Sequence, residues 1–133
     1  MLDDGYKSSL GGGLTIIRGS DKQFTVRITI QDPCNAGIPG PPFDLTGVTE
    51  IKAYFPPQPP TTTPVTLTMT GGQITVLNVS QGSMQMVMND TTTPLLLVGD
   101  SQNFEIEIHI GSVISIVQFM GVLTVVDRLF GPQ

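Results

Sequence analysis

Residues 103–110 read Asn103-Phe104-Glu105-Ile106-Glu107-Ile108-His109-Ile110, and every second residue is large and apolar. Successive side chains of an extended chain point to opposite faces. Phe104, Ile106, Ile108 and Ile110 therefore share one face, and Glu105, Glu107 and His109 share the other. This is the pattern of a half-buried β-strand, with one face in a core and one in water.

The same period recurs on either side. In residues 23–31, Phe24, Val26, Ile28 and Ile30 alternate with Thr25, Arg27, Thr29 and Gln31. In residues 83–88 the apolar set is Met84, Met86 and Met88, which would not share a face on a helix but do on a strand. Flexible thioethers suit core filling, and a soft partner-binding surface is the competing reading. Val65, Leu67 and Met69 alternate with threonines, and Thr70-Gly71-Gly72 then predicts a hairpin into residues 74–79. Residues 14–18 and 48–55 are further extended segments. Gly111-Ser112 fits a two-residue hairpin turn leading into residues 113–126, which are apolar on both faces apart from Ser115, Gln118 and Thr124. Gly121 within that run predicts a bulge or a close backbone approach.

Between the strands the composition changes. Residues 32–45 carry Gly37, Pro39, Gly40, Pro41 and Pro42 and read as a long connection, because proline has no amide to give to a ladder. Pro56, Pro57, Pro59 and Pro60 stop the strand at 48–55 and, with residues 61–64, predict a stiff, partly polyproline II excursion crossing between sheets. A proline ligand of the signalling type is the alternative. Residues 89–99 read as a loop with one helical turn. About seven or eight strands at roughly ten-residue spacing, with no helical periodicity, predict an all-β sandwich of two antiparallel sheets, with a small barrel second. At 133 residues the chain fits one domain. Its expected layout is a flexible, glycine-rich arm at 1–13, the sandwich at 14–128 and a short tail at 129–133.

Composition limits the function. Six Lys and Arg stand against eleven Asp and Glu, and the basic residues Lys7, Arg18, Lys22, Arg27, Lys52 and Arg128 never cluster. Binding a phosphate backbone needs concentrated positive charge, so nucleic acid is not an expected partner. The apolar runs fall short of the roughly 20 residues of a membrane-spanning helix, and the N-terminus has no apolar core of a secretory signal, so neither membrane nor export is expected. One cysteine, Cys34, leaves no intrachain disulfide and no multi-thiolate zinc site. Only 13% of residues are charged, which implies neutral polar faces suited to permanent packing against neighbours.

Candidate chemistry is sparse. His109 shares a strand face with Glu105 and Glu107, but a single histidine on a solvated strand reads as a surface residue. No nucleophile elbow, zinc motif, phosphate loop or dinucleotide fingerprint is present. No catalytic residue, metal ligand or cofactor is expected, and the chain reads as a non-enzyme. Asp44, Glu50 and Asp100 stand beside turns, where carboxylates bond local amides.

Arg18-Gly19-Ser20-Asp21, Phe24-Thr25-Val26-Arg27-Ile28-Thr29-Ile30, Asp44-Leu45-Thr46-Gly47-Val48 leading into a strand, Gly99-Asp100 before Phe104-Glu105-Ile106-Glu107-Ile108, and a closing apolar strand with Gly121 follow one another in that order. This order resembles the immunoglobulin-like domain at the N-terminus of phage baseplate upper proteins, and the small phage head and tail proteins that reuse it. The resemblance covers residues 14–127. It implies an immunoglobulin-like sandwich acting as a docking block in the virion of a tailed phage, on the tail, baseplate or capsid exterior, assembled in the host cytoplasm. The implied partners are other virion proteins and further copies of the chain. The residues expected to meet them are Asp3, Asp4 and Tyr6 in the arm, Pro56, Pro57, Pro59 and Pro60 in the excursion, and Leu129 and Phe130 in the tail. A carbohydrate-binding or adhesin-like sandwich is the alternative, although the chain has no Trp and only two tyrosines, Tyr6 and Tyr54, far apart in sequence.

Overall fold

Among the described residues eleven strands, β1 (Tyr6–Ser9), β2 (Leu14–Ile17), β3 (Lys22–Ile30), β4 (Val48–Phe55), β5 (Val65–Thr68), β6 (Ile74–Asn78), β7 (Ser83–Met88), β8 (Gly99–Gln102), β9 (Glu105–Ile110), β10 (Val113–Gln118) and β11 (Leu123–Val126), account for more than half. The computed structural model describes residues 6–9, 14–30, 41–118 and 123–127. One sheet has the order β1-β3-β7-β6 and the other β10-β9-β4-β5, every neighbouring pair antiparallel. The fold is an all-β sandwich.

Alternation places the core. Phe24, Val26 and Ile28 of β3 and the three methionines of β7 are buried from one sheet, and Ile51, Ala53 and Phe55 of β4 with Ile106 and Ile108 of β9 from the other. Met84, Met86 and Met88 are fully buried, so the methionine row fills the core. Phe104, immediately before β9, stacks on Phe55 with ring centroids 4.4 Å apart and meets Phe24 edge-on at 6.4 Å. Each such ring pair adds about 0.5–1.5 kcal/mol beyond area burial.

Gly111 takes φ +60° and turns β9 into β10, with Ile110 opposite Val113, the two-residue hairpin that the sequence implies. Gly82, at φ +67°, has a different reason. A Cβ there would lie 2.6 Å from the Ile28 carbonyl oxygen and 2.7 Å from that of Phe43, so the chain passes where only glycine fits.

Several expectations need correction. A third sheet, β2-β11-β8, joins the two expected ones, with β2 and β11 parallel. Its strand β8 falls where a turn was expected. Gly99-Asp100-Ser101-Gln102 has no apolar alternation and is extended because its backbone pairs with β11, Gln102 opposite Leu123 and Gly99 opposite Val125. The apolar run at 113–126 is two strands in different sheets, and Gly121 lies outside the described residues.

The glycine turn at 70–72 does not make a hairpin. β5 pairs with β4 and β6 with β7, so the turn carries the chain from one sheet to the other. Conversely, the proline excursion is not a crossover. It links the neighbouring antiparallel strands β4 and β5, whose pairing starts at Phe55 and Val65. Part of the expected arm is a strand: Tyr6 to Ser9 pair with Ile30 to Arg27, because the edge of β3 offers backbone groups to any extended segment whatever its side chains.

The β4–β5 pair is tied by one carboxylate. Glu50 Oε1 accepts the amides of Ile51 (3.0 Å), Met69 (3.1 Å) and Thr70 (3.1 Å), and Oε2 accepts the Thr70 hydroxyl (2.6 Å). The Thr70 hydroxyl, with the amides, holds this carboxyl below its ordinary 4.5 against the opposing effect of desolvation. A depressed carboxyl stabilises the fold above its unfolded pKa and loses that contribution as pH falls through the folded value.

Two outcomes follow in chemical denaturation. Phe104→Ala lowers stability by about 3–5 kcal/mol, the usual cost of emptying a buried aromatic site. Glu50→Ala costs about 1–2 kcal/mol at neutral pH, and the gap from wild type narrows once pH falls well below 4.5. An unchanged gap in acid contradicts the role given to the carboxylate.

Candidate interaction groove

After Phe55 the chain meets Pro56 and Pro57, then Gln58, then Pro59 and Pro60. Gln58 is the one residue of the five with a backbone N–H, and it donates that to the Leu95 carbonyl at 2.8 Å. Leu97 N–H donates to the Pro56 carbonyl at 3.1 Å, and the Gln58 side chain accepts from Val98 N–H at 3.2 Å. The excursion is thus stitched to residues 95–98 by a short antiparallel bridge centred on Pro57 and Leu96. The Pro56 carbonyl accepts and the single amide donates.

The facing wall, Thr92 to Leu95, is held just as firmly. Asn89 Oδ1 accepts the amides of Thr91 (3.2 Å) and Thr92 (2.9 Å). Thr93, fully buried, accepts Gly19 N–H at 2.9 Å and donates to the Ser20 carbonyl at 2.9 Å. Arg18 Nη2 donates to the Pro94 carbonyl at 2.7 Å while Nη1 meets Asp127 Oδ1 at 2.8 Å.

Between these walls lies a groove of about 500 Å³, lined by Pro57, Pro59, Thr63, Pro64, Pro94 and Leu95 among others. Among the described residues none that lines it is charged. Leu95 on its rim is 56% exposed, a large apolar side chain left in water. A smaller hollow of about 290 Å³ adjoins it across Pro57 and Pro64 and is bordered by Tyr54, Asn103 and Glu105. The groove can bury an uncharged, apolar group against preset walls.

On the outer face of the β10-β9-β4-β5 sheet, Glu107 Oε1 lies 2.7 Å from His109 Nε2 and accepts the Tyr54 hydroxyl at 3.3 Å. His109 is therefore half-buried and paired rather than a plain surface residue. Burial first, then the negative charge and hydrogen bond of Glu107, push the Tyr54 phenol above 10.0. Among the described residues no three His, Cys, Asp or Glu side chains are placed to share a metal ion, and no helix is long and apolar enough to cross a membrane.

Of the residues expected to meet partners, Pro57 and Pro59 line the groove and Pro56 the adjoining hollow, while Pro60 is exposed beside them. Tyr6 lies in β1, in backbone register with Ile30. Asp3, Asp4, Leu129, Phe130 and also Cys34 lie outside the described residues. Sequence reasoning missed the second wall. Thr92, Pro94 and Leu95 read as part of a loop with one helical turn, which Thr93–Leu95 does form, and the available signal for a wall was Leu95 itself, a large apolar residue directly after a proline. Asp44 behaves as its position implies, accepting the Thr46 amide at 2.9 Å and hydroxyl at 2.6 Å. No protein-family model matches the chain, and no curated protein matches its sequence.

In a Tyr6→Phe background, the phenolate absorbance of Tyr54 is expected to rise with a midpoint above 10.0. Glu107→Gln moves that midpoint down yet leaves it above the ordinary value, because burial is the larger cause. A midpoint unmoved by Glu107→Gln contradicts the contact.

Proposed function

We propose that the chain is a non-enzymatic structural protein of a tailed-phage virion, a docking module on the tail, baseplate or capsid exterior that packs against other virion proteins and further copies of itself. The observation that carries this reading is the groove, two hydrogen-bonded walls enclosing an uncharged, largely apolar surface with an exposed leucine on its rim. Walls fixed before contact lose little freedom on binding, and prolines have little to lose. The dispersed basic residues and the resemblance of residues 14–127 to phage docking domains support the same reading. Assembly in the host cytoplasm and residence in the virion follow from it.

A second reading, saccharide recognition, draws on one observation: Tyr54, Asn103 and Glu105 together border the smaller hollow. A competable hit on a glycan array supports that reading over the first.

Thr63 and Leu95 are exposed, so Thr63→Arg and Leu95→Asp leave the core intact while placing charge in the groove. Both variants are expected to keep the wild-type melting temperature and to lose binding to the virion proteins that the wild type retains. A wild-type protein that stays monomeric at high concentration and retains no virion protein contradicts the proposal.

A further inference from the structure

We propose that two copies of the chain join edge to edge through β10, which pairs antiparallel with the β10 of the second copy across a two-fold axis at Ile116. The inference deepens the docking reading, and rests on it, by naming the surface through which copies meet. The groove stays free for other virion proteins.

The backbone carries the first argument. Among the described residues β10 has one hydrogen-bonded neighbour, β9, and stands at the edge of its sheet. Ile110 and Val113 close the two-residue hairpin, and such a closing pair exchanges both of its hydrogen bonds. Residues 113, 115 and 117 therefore direct their amides and carbonyls to β9. Those of Ile114, Ile116 and Gln118 point the other way, out of the sheet edge. Val113 is 63% exposed and Ile114 56%, so the start of this edge is open to water.

The sequence of the edge is the second argument. Val113-Ile114-Ser115-Ile116-Val117-Gln118 holds no charge, proline or glycine, and its register with β9 is unbroken. Natural edge strands are shortened, bulged, charged or blocked by proline against pairing with another chain. The other edges of this fold carry such devices. β5 has four residues and follows Pro64, β6 breaks register between Val76 and Asn78, and β1 has four residues with Lys7 among them. In the third sheet β2 and β8 have four residues each. Among the described edges β10 alone has none of these protections.

A second copy is the occupant that this edge fits. With Ile116 on the axis, Ile114 faces the second copy's Gln118 and Ile116 faces its own counterpart, so every outward residue joins a hydrogen-bonded pair. Any other register leaves one of them without a β10 partner. Ile114 and Ile116 share the outer face, opposite His109 and Glu107 of β9, and they continue across the seam as one apolar strip. No charged side chain lies on the seam, so copies of net charge −5 meet there without like charges directly opposite.

Sedimentation velocity on the full chain tests this. The wild type is expected to dimerise reversibly as its concentration rises. Ile116→Pro removes an amide that β9 does not use; it is expected to keep the wild-type circular dichroism and to weaken the dimer at least about tenfold. Ile116→Lys and Ile116→Glu each place like charges opposite one another on the axis and are expected to be monomeric alone. Mixed in equal amounts they are expected to form a heterodimer, which misfolded variants would not do. A wild type that stays monomeric up to about 1 mM overturns the inference. So does a dimer that survives the Ile116 substitutions, one that Thr63→Arg or Leu95→Asp abolishes, or charge variants that do not associate when mixed. A monomeric chain that still retains virion proteins keeps the docking reading while this inference fails.

Discussion

The ring of Phe104 lies face to face with Phe55 and is met edge-on by Phe24. Through that single side chain the end of β4, the start of β9 and the start of β3 are held at one depth in the core. The consequence outside the core is specific. Phe55 is the last residue of β4, so the ring stack fixes where Pro56 leaves the sheet and hence where the proline excursion stands. Phe55 and Phe104 also border the smaller hollow beneath Pro57 and Pro64, so the groove end of the molecule rests directly on the aromatic cluster. Emptying the ring site acts on stability and on the groove together.

The second constraint is the scarcity of backbone donors in the excursion. A run of prolines cannot join a ladder, yet this one is attached, because Gln58 donates once and the Pro56 carbonyl accepts once. Pro59, Pro60 and Pro64 restrict φ in the rest of the excursion, where Thr61 N–H donates to the Gln58 carbonyl at 3.1 Å. The opposite wall reaches a similar rigidity through side chains, with Asn89 closing its own turn and Thr93 buried between Gly19 and Ser20. Two segments that composition alone marks as loops become the walls of one groove.

Alternation made the body of the sandwich legible. Phe24, Val26 and Ile28, then Met84, Met86 and Met88, then Phe104, Ile106 and Ile108 are buried as period two selects, with Ile110 partly buried, and Gly111 turns where glycine was read as a turn. What escaped depends on partners distant in sequence. Nothing in Gly99-Asp100-Ser101-Gln102 announces a strand, since its pairing comes from β11. Thr70-Gly71-Gly72 has hairpin chemistry, but β4 competes successfully for β5 and β7 for β6. Glycine content tells that the chain turns and not into which sheet. For the groove, the proline wall stood out by composition while the wall facing it did not. Thr93 and Leu95 matter through contacts with Gly19, Ser20 and Gln58, which lie more than 35 residues away.

The functional account joins a rigid, uncharged groove to a family resemblance, and its central claim is that this end of the sandwich is an assembly contact in a phage particle. On this account a phage encodes the chain, and a reconstruction of its particles tests the claim most directly. The account predicts density for the sandwich at a symmetry-repeated position, with the Pro57 to Leu95 end turned toward protein of the particle. Particles that contain no such density, or that carry the sandwich with its groove end facing open solvent at every position, contradict it.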